Sequence, residues 1–288
     1  MTRSRVCRTV LAIAVATTLT GAVACTASAG PEPEDTGAAH RSGALAALRS
    51  AERSTQRARS VRVRSTTALG SLLSTRAEGA LGWTDGLTGT LTITYTGGST
   101  ADLMRSLDST SLETRYLQDA YYAKVGPAFA RRLGGRHWIK YPYAYLATLG
   151  GGSGAMITDL MRNTTPNRPV RLLLAAGDVR VAGREQVSGR RTTHYSGTVS
   201  VSDLDAGSEL RDQLTQAGVG TETVDIWVDD QDLLVKKVEK AATANGAMTQ
   251  TAYYRDYGVR VTAERPPAAD TEDFRTLLKK QDGTGPAS

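Results

Sequence analysis

From residue 60 onward the sequence keeps returning to a side-chain period of two. Thr90-Leu91-Thr92-Ile93-Thr94-Tyr95-Thr96 places apolar side chains at alternate positions, and Val61 and Val63 alternate with Arg62 and Arg64. Residues 192–201, 223–229, 235–239 and, more loosely, 249–254 follow the same rule. Successive side chains of an extended chain point to opposite faces, so these segments read as strands with one apolar and one polar face. Asp85-Gly86, Gly97-Gly98 and Asn245-Gly246 supply turn chemistry between them. Strands joined by short turns pair antiparallel, and the apolar side of such a sheet has to be covered. This pattern predicts about 10–11 strands.

Helical patterning occurs in four places. Residues 44–60 put Leu45 and Leu48 on one face and Arg49, Arg53 and Arg57 on another. That basic face is either solvated or set against anionic headgroups, at about 1 kcal/mol per cation near a membrane surface. Residues 143–162 carry Leu146, Leu149, Met156, Ile157, Leu160 and Met161 around a break rich in glycine, Gly150-Gly151-Gly152-Ser153-Gly154. Residues 169–176 open with Pro169, which suits a first helical turn, and hold Leu172, Leu173 and Leu174. Residues 208–216 end before Gly218. The fold class is therefore α+β, a large antiparallel sheet with helices on one side. A glycine break between deformable Leu and Met surfaces suits a lid over an apolar cavity. The same residues also suit a compact core, and the only two phenylalanines, Phe129 and Phe274, leave both readings open.

The first 24 residues set the compartment. Arg3, Arg5 and Arg8 precede an apolar stretch over residues 10–24, the layout of an export signal. Ala22-Val23-Ala24-Cys25 resembles the lipobox of bacterial lipoproteins, with Ala22 where leucine is usual. That resemblance implies cleavage before Cys25 and acylation of its sulfur, which holds the mature chain on the outer face of the plasma membrane. Losing the three arginines lowers the formal charge from +6 to +3, so the basic character of the 288-residue chain is partly its leader. On this reading cytoplasmic function and nucleic-acid partners are excluded. The remaining chain has no apolar run of the ~18 residues a spanning helix needs. Residues 25–43, with Pro31, Pro33, Glu32, Glu34 and Asp35, read as a lipidated cysteine and flexible tether. Residues 44–276 read as one domain and residues 277–288 as a disordered tail.

Catalytic chemistry is hard to find. Two cysteines and three histidines exclude a disulfide scaffold and a Cys/His zinc module. His40 lies in the tether, and His137 and His194 have no acid at ligand spacing. Ser153 sits among glycines, but Ala155 breaks the Gly-x-Ser-x-Gly pattern and no strand precedes it. No lysine follows the glycine run as a phosphate loop requires. Asp203-Leu204-Asp205 and Asp229-Asp230-Gln231-Asp232 lack the glycine and glutamate of a calcium loop and read as turns. No enzyme, metal or cofactor is expected; a hydrolase would need a base that the sequence does not place.

Four further segments carry a family resemblance. They are Tyr121-Tyr122-Ala123-Lys124-Val125 with Gly135-Arg136-His137-Trp138-Ile139-Lys140, and Gly183 to Gly189 followed by Thr193-His194-Tyr195. The third is Val224-Asp225-Ile226-Trp227-Val228-Asp229 with Leu233-Leu234-Val235-Lys236-Lys237, and the fourth Tyr254-Arg255-Asp256-Tyr257-Gly258 with Pro266-Pro267. In this order they resemble the actinobacterial lipoproteins of LppX/LprG type, within the LolA/LolB-like lipoprotein-carrier superfamily. The resemblance implies a half-barrel of strands wrapped over helices around an apolar cavity, and the binding or transfer of lipids or acylated ligands without a cofactor. Within that frame parity assigns Leu91, Ile93, Tyr95, Tyr121, Ala123 and Val125 to the cavity wall, roofed by Leu146, Leu149, Met156, Leu160, Leu172 and Leu173. Trp227 falls on the opposite parity as a half-buried structural ring. An envelope interaction or sensor module with a protein partner is the alternative reading.

Overall fold

The computed structural model describes residues 36–146, 148–149, 165–176, 178–205 and 208–282. Cys25, Met156 and Leu160, with the leader and the glycine break, lie outside the described residues.

Helix α1, Thr36–Ala58, begins inside the stretch read as tether. No proline stands between Pro33 and the end of the helix, and Ala38 and Ala39 are strong helix formers, so the helix propagates further toward the N-terminus than its apolar stripe requires. Its buried line is Ala44, Leu48, Ala51 and Thr55, spaced for one helical face, while Arg49, Arg53 and Arg57 stay exposed. Arg59, held in the left-handed region at φ 61°, turns the chain directly into the sheet.

The sheet has twelve strands in one continuous order. Strands β1 (Ser60–Leu69), β2 (Leu73–Gly82), β3 (Thr88–Gly97), β4 (Ser111–Tyr116), β5 (Ala120–Lys124) and β6 (Trp138–Pro142) form one meander. Strands β7 (Arg180–Val187), β8 (Arg190–Ser200), β9 (Thr221–Asp229), β10 (Leu234–Thr243) and β11 (Gly246–Arg255) form a second. The two are joined where β1 pairs antiparallel with β11, with Arg62 opposite Arg255 and Leu69 opposite Met248. All these pairings are antiparallel; the exception is β12 (Thr271–Asp273), which lies parallel to β6 and makes the sheet mixed. A three-residue strand is too short to show alternation, hence the lower expected count. The sheet does not close, since β12 and β7 remain its two edges.

The expected helices over 169–176 and 208–216 are present as α5 (Asn167–Ala175) and α6 (Glu209–Gln216). Of the 143–162 stretch, Tyr143–Leu146 forms a short helix, α4. Three helices add to these: α2 (Ser99–Ser106), α3 (Pro127–Arg132) and α7 (Phe274–Asp282). Gly97-Gly98 therefore opens α2 instead of a hairpin. Helix α7 takes up the first part of the expected tail, because Phe274 and Leu277 pack against Val125, Ala130, Leu133 and Ile139. Among the described residues no helix is long and apolar enough to cross a membrane.

Helix α5 rests on β8 and β9. Gly197 of β8 makes that seat: a Cβ there would stand 3.0 Å from Leu173 Cδ2 and 3.3 Å from Val179 Cγ2. The absent side chain lets Leu172 and Leu173 bury completely.

Candidate functional site: an uncharged cavity on the inner face of the sheet

The antiparallel register fixes which residues share the inner face. Tyr116 stands opposite Tyr121, Tyr121 opposite Tyr141, Ile93 opposite Leu112 and Ala77, and Thr67 opposite both Thr75 and Gln250. These positions enclose a cavity of about 250 Å³. Leu73, Ala77, Leu91, Ile93, Leu112 and Ala123 supply its aliphatic surface, and Tyr95, Tyr116, Tyr121 and Tyr141 its aromatic surface. Ser65, Thr67, Thr75 and Gln250 form a polar wall where β1, β2 and β11 meet.

Among the described residues no carboxylate, amine or guanidinium lines the cavity. Its phenols stay neutral, because burial pushes Tyr95, Tyr116, Tyr121 and Tyr141 above the ordinary tyrosine range. For Tyr121 the neighbouring phenols add to that rise and a hydrogen bond with Thr114 opposes it. Ring contacts run from Tyr116 to Tyr121 (5.1 Å, edge-to-face) and on to Tyr141 (5.7 Å) and Phe274 (4.8 Å). On the polar wall Gln250 Nε2 donates to Thr67 Oγ1 at 3.1 Å. Gln250 is 2% exposed, and its Oε1 has no hydrogen-bond partner.

The structure thus brings Leu91, Ile93, Tyr95, Tyr121 and Ala123 to one cavity. Val125 lies past the last residue of β5, under α3 and α7, in the separate cluster with Ala130, Leu133 and Ile139. Leu146, Leu172 and Leu173 are fully buried in the main core and Leu149 packs against it, but none is among the cavity-lining residues. The seat of α5 on Gly197 holds Leu172 and Leu173 over β8 and β9 instead.

Sequence reasoning missed the ionic network beside this site. Arg168, at the start of α5, donates to Glu222 Oε1 and Oε2 at 3.1 and 3.2 Å and to Glu239 Oε1 at 3.2 Å. Lys237 Nζ donates to Glu239 Oε2 at 2.6 Å. All four residues are at most 5% exposed. Taking each ion out of water costs several kcal/mol, which the two cations and two carboxylates offset only as a set. Desolvation pulls the Lys237 ammonium below the ordinary lysine range, although Glu239 opposes the drop.

His137, just before β6, and His194, in β8, both meet acids from distant positions. His137 Nδ1 lies 2.8 Å from Asp270 Oδ1, and His194 Nε2 2.8 Å from Asp225 Oδ1. His194 also stacks on Trp227, with ring centroids 4.2 Å apart, and Lys236 Nζ sits 3.9 Å from the Trp227 ring centroid. Trp227 Nε1 donates to Glu185 Oε1 at 2.5 Å, and at 6% exposure the ring is buried, beyond the half-burial expected. None of these residues lines the cavity. Among the described residues no three His, Cys, Asp or Glu side chains converge for a metal.

A Streptomyces coelicolor protein named as a lipoprotein, SCO4650, is 53% identical over 300 residues, 98% of this chain and 99% of its own length. Lipoprotein LprA of Mycobacterium tuberculosis is 33% identical over 119 residues, 40% of this chain and 46% of LprA. Mycobacterium tuberculosis lipoprotein LppX, a solved structure, matches with a TM-score of 0.50 at 16% identity, over 77% of this chain and 99% of LppX, which is a likeness of fold. No established family model matches. Fold and relatives define an extracytoplasmic lipoprotein of the cell envelope. The chain belongs to the same family of actinobacterial lipoproteins as SCO4650, and it shares the fold of LppX.

Proposed function

We propose that this protein is held on the outer face of the plasma membrane by acylated Cys25 and binds an acyl chain or comparable lipid segment in the cavity, for transfer or sensing, without catalysis. The observation that carries the reading is an internal wall of aliphatic side chains and neutral phenols, uncharged throughout its described residues. Such a surface gains about 25 cal/mol per Å² of apolar ligand area taken from water. Size narrows the ligand. At 250 Å³ the cavity falls just under the ~300–1,000 Å³ usual for small-molecule pockets and equals about eight water volumes of ~30 Å³. That suits one chain segment, with the bulk of a multi-chain lipid left outside. The unpartnered Oε1 of Gln250 favours a ligand bringing a hydroxyl or amide donor to the polar wall.

The test is native mass spectrometry of the protein as isolated, followed by solvent extraction. The expected result is one lipid per chain, lost in Ala123→Trp and in Ala77→Trp, with cooperative thermal unfolding retained in at least one of them. Full loading of a folded variant, or an empty wild-type cavity, overturns the assignment.

A further inference from the structure

A second groove, of about 970 Å³, lies at the end of the sheet where β1 begins and β2 ends. Arg53 and Arg57 reach it from the last turns of α1, Arg59 from the junction with β1, and Arg171 from α5. Among the described residues Glu52 is the one carboxylate on its walls. All four arginines are exposed, and none forms an ion pair among the described residues; Arg57 donates only to Ser54 Oγ, at 3.0 Å. Elsewhere in the domain arginines do find carboxylates, as Arg64 does Glu78 and Arg191 does Asp230. Two further details favour a ligand. Trp83, which lines the groove, is 9% exposed, and its Nε1 has no acceptor. Arg59 occupies a left-handed backbone position that glycine or asparagine would hold at lower cost, yet an arginine stands there.

The groove therefore sets four guanidinium groups against one carboxylate, with Asn167 Oδ1 as a buried acceptor beside them. Its complement carries several acceptor oxygens and net negative charge, the description of a phosphate group. Four cations spread over an open surface fit an array of phosphates better than one enclosed anion. We propose that this groove docks on the anionic phospholipid headgroups of the membrane, as a contact additional to the Cys25 anchor. Along β2 the cavity wall ends at Ala77 and the groove begins at Trp83, about 20 Å apart at ~3.3 Å per residue. Docking therefore leaves the cavity free and is independent of what the cavity holds.

The experiment uses the full chain carrying Cys25→Ala, which lacks the acyl anchor. It measures co-sedimentation with vesicles of equal parts phosphatidylglycerol and phosphatidylcholine, and with phosphatidylcholine alone. The expected result is binding to the mixed vesicles only, weakening as salt is raised. The pair Arg57→Gln/Arg171→Gln should lower the partition by about thirty-fold, with thermal unfolding unchanged. The matched pair Arg76→Gln/Arg131→Gln, exposed arginines outside the groove, should lose far less. Equal losses in the two pairs would reduce the effect to net charge, and equal binding to both vesicle types would remove headgroup charge from it; either overturns the docking. So would a groove that takes inorganic phosphate while ignoring vesicles, since that marks a soluble phosphoanion site. Lipid loading of the cavity, read on the same variants, should not change.

Discussion

Tyr95, Tyr116, Tyr121 and Tyr141 give the cavity hydroxyls without giving it charge, and the proton balance of these phenols sets an alkaline limit on the fold. Burial holds each phenol's pKa above the value near 10 of an unfolded tyrosine. Above that pH the native state keeps protons that the unfolded chain releases. The contribution is thus fully present below about pH 10 and shrinks as pH rises, by about 1.4 kcal/mol per pH unit for each phenol held neutral. Phenolate absorbance from the buried tyrosines should rise only together with loss of the sheet's circular dichroism. Ionisation of all eleven tyrosines in a still-folded protein would show the cavity wall open to solvent.

Among the elements, α5 and β10 show where a sequence stops being readable. Strict alternation would put Val235 on one face with Lys237 and Glu239. The register irregularity between Leu234 and Lys236 instead lets Val235 and Val238 join Trp227 in the outer cluster, while Lys237 and Glu239 turn inward to meet Arg168. Local period does not encode such a shift, nor the partners that make inward charges tolerable. The cavity strands were legible for the opposite reason: at Leu91, Ile93, Tyr95, Tyr121 and Ala123 parity sorts the two faces, and the family resemblance says which one turns inward. Ser65, Thr67 and Gln250 were not, because their meeting depends on the pairing of β1 with β11. Helices α2 and α3, of 8 and 6 residues, fall short of the window over which a 3.6-residue period can be recognised. Arg168 ties α5 to β9 and β10, so Arg168→Met should cost about 3–5 kcal/mol by removing the guanidinium that two buried carboxylates share, read from urea denaturation. A loss under about 1 kcal/mol would mean that water reaches and relaxes the network.

For the molecule as a whole, location and fold make separate demands on the sequence. On the proposed reading location rests on one sulfur, and Cys25→Ala should move the protein from the membrane fraction to the culture medium. Retention of that variant after a high-salt wash would rule out the acyl anchor as what holds it there. The fold rests on the seam between β1 and β11. Five hairpin pairings of the first meander involve only residues 60–142, so they can form as soon as that part of the chain has been exported. The free side of β1 then waits, with its backbone donors and acceptors unmatched, for a strand that emerges almost at the end of secretion. An unpaired edge in mid-sheet invites misassembly with neighbouring chains. Slow translocation should therefore tax the yield of this protein more than its finished stability would suggest.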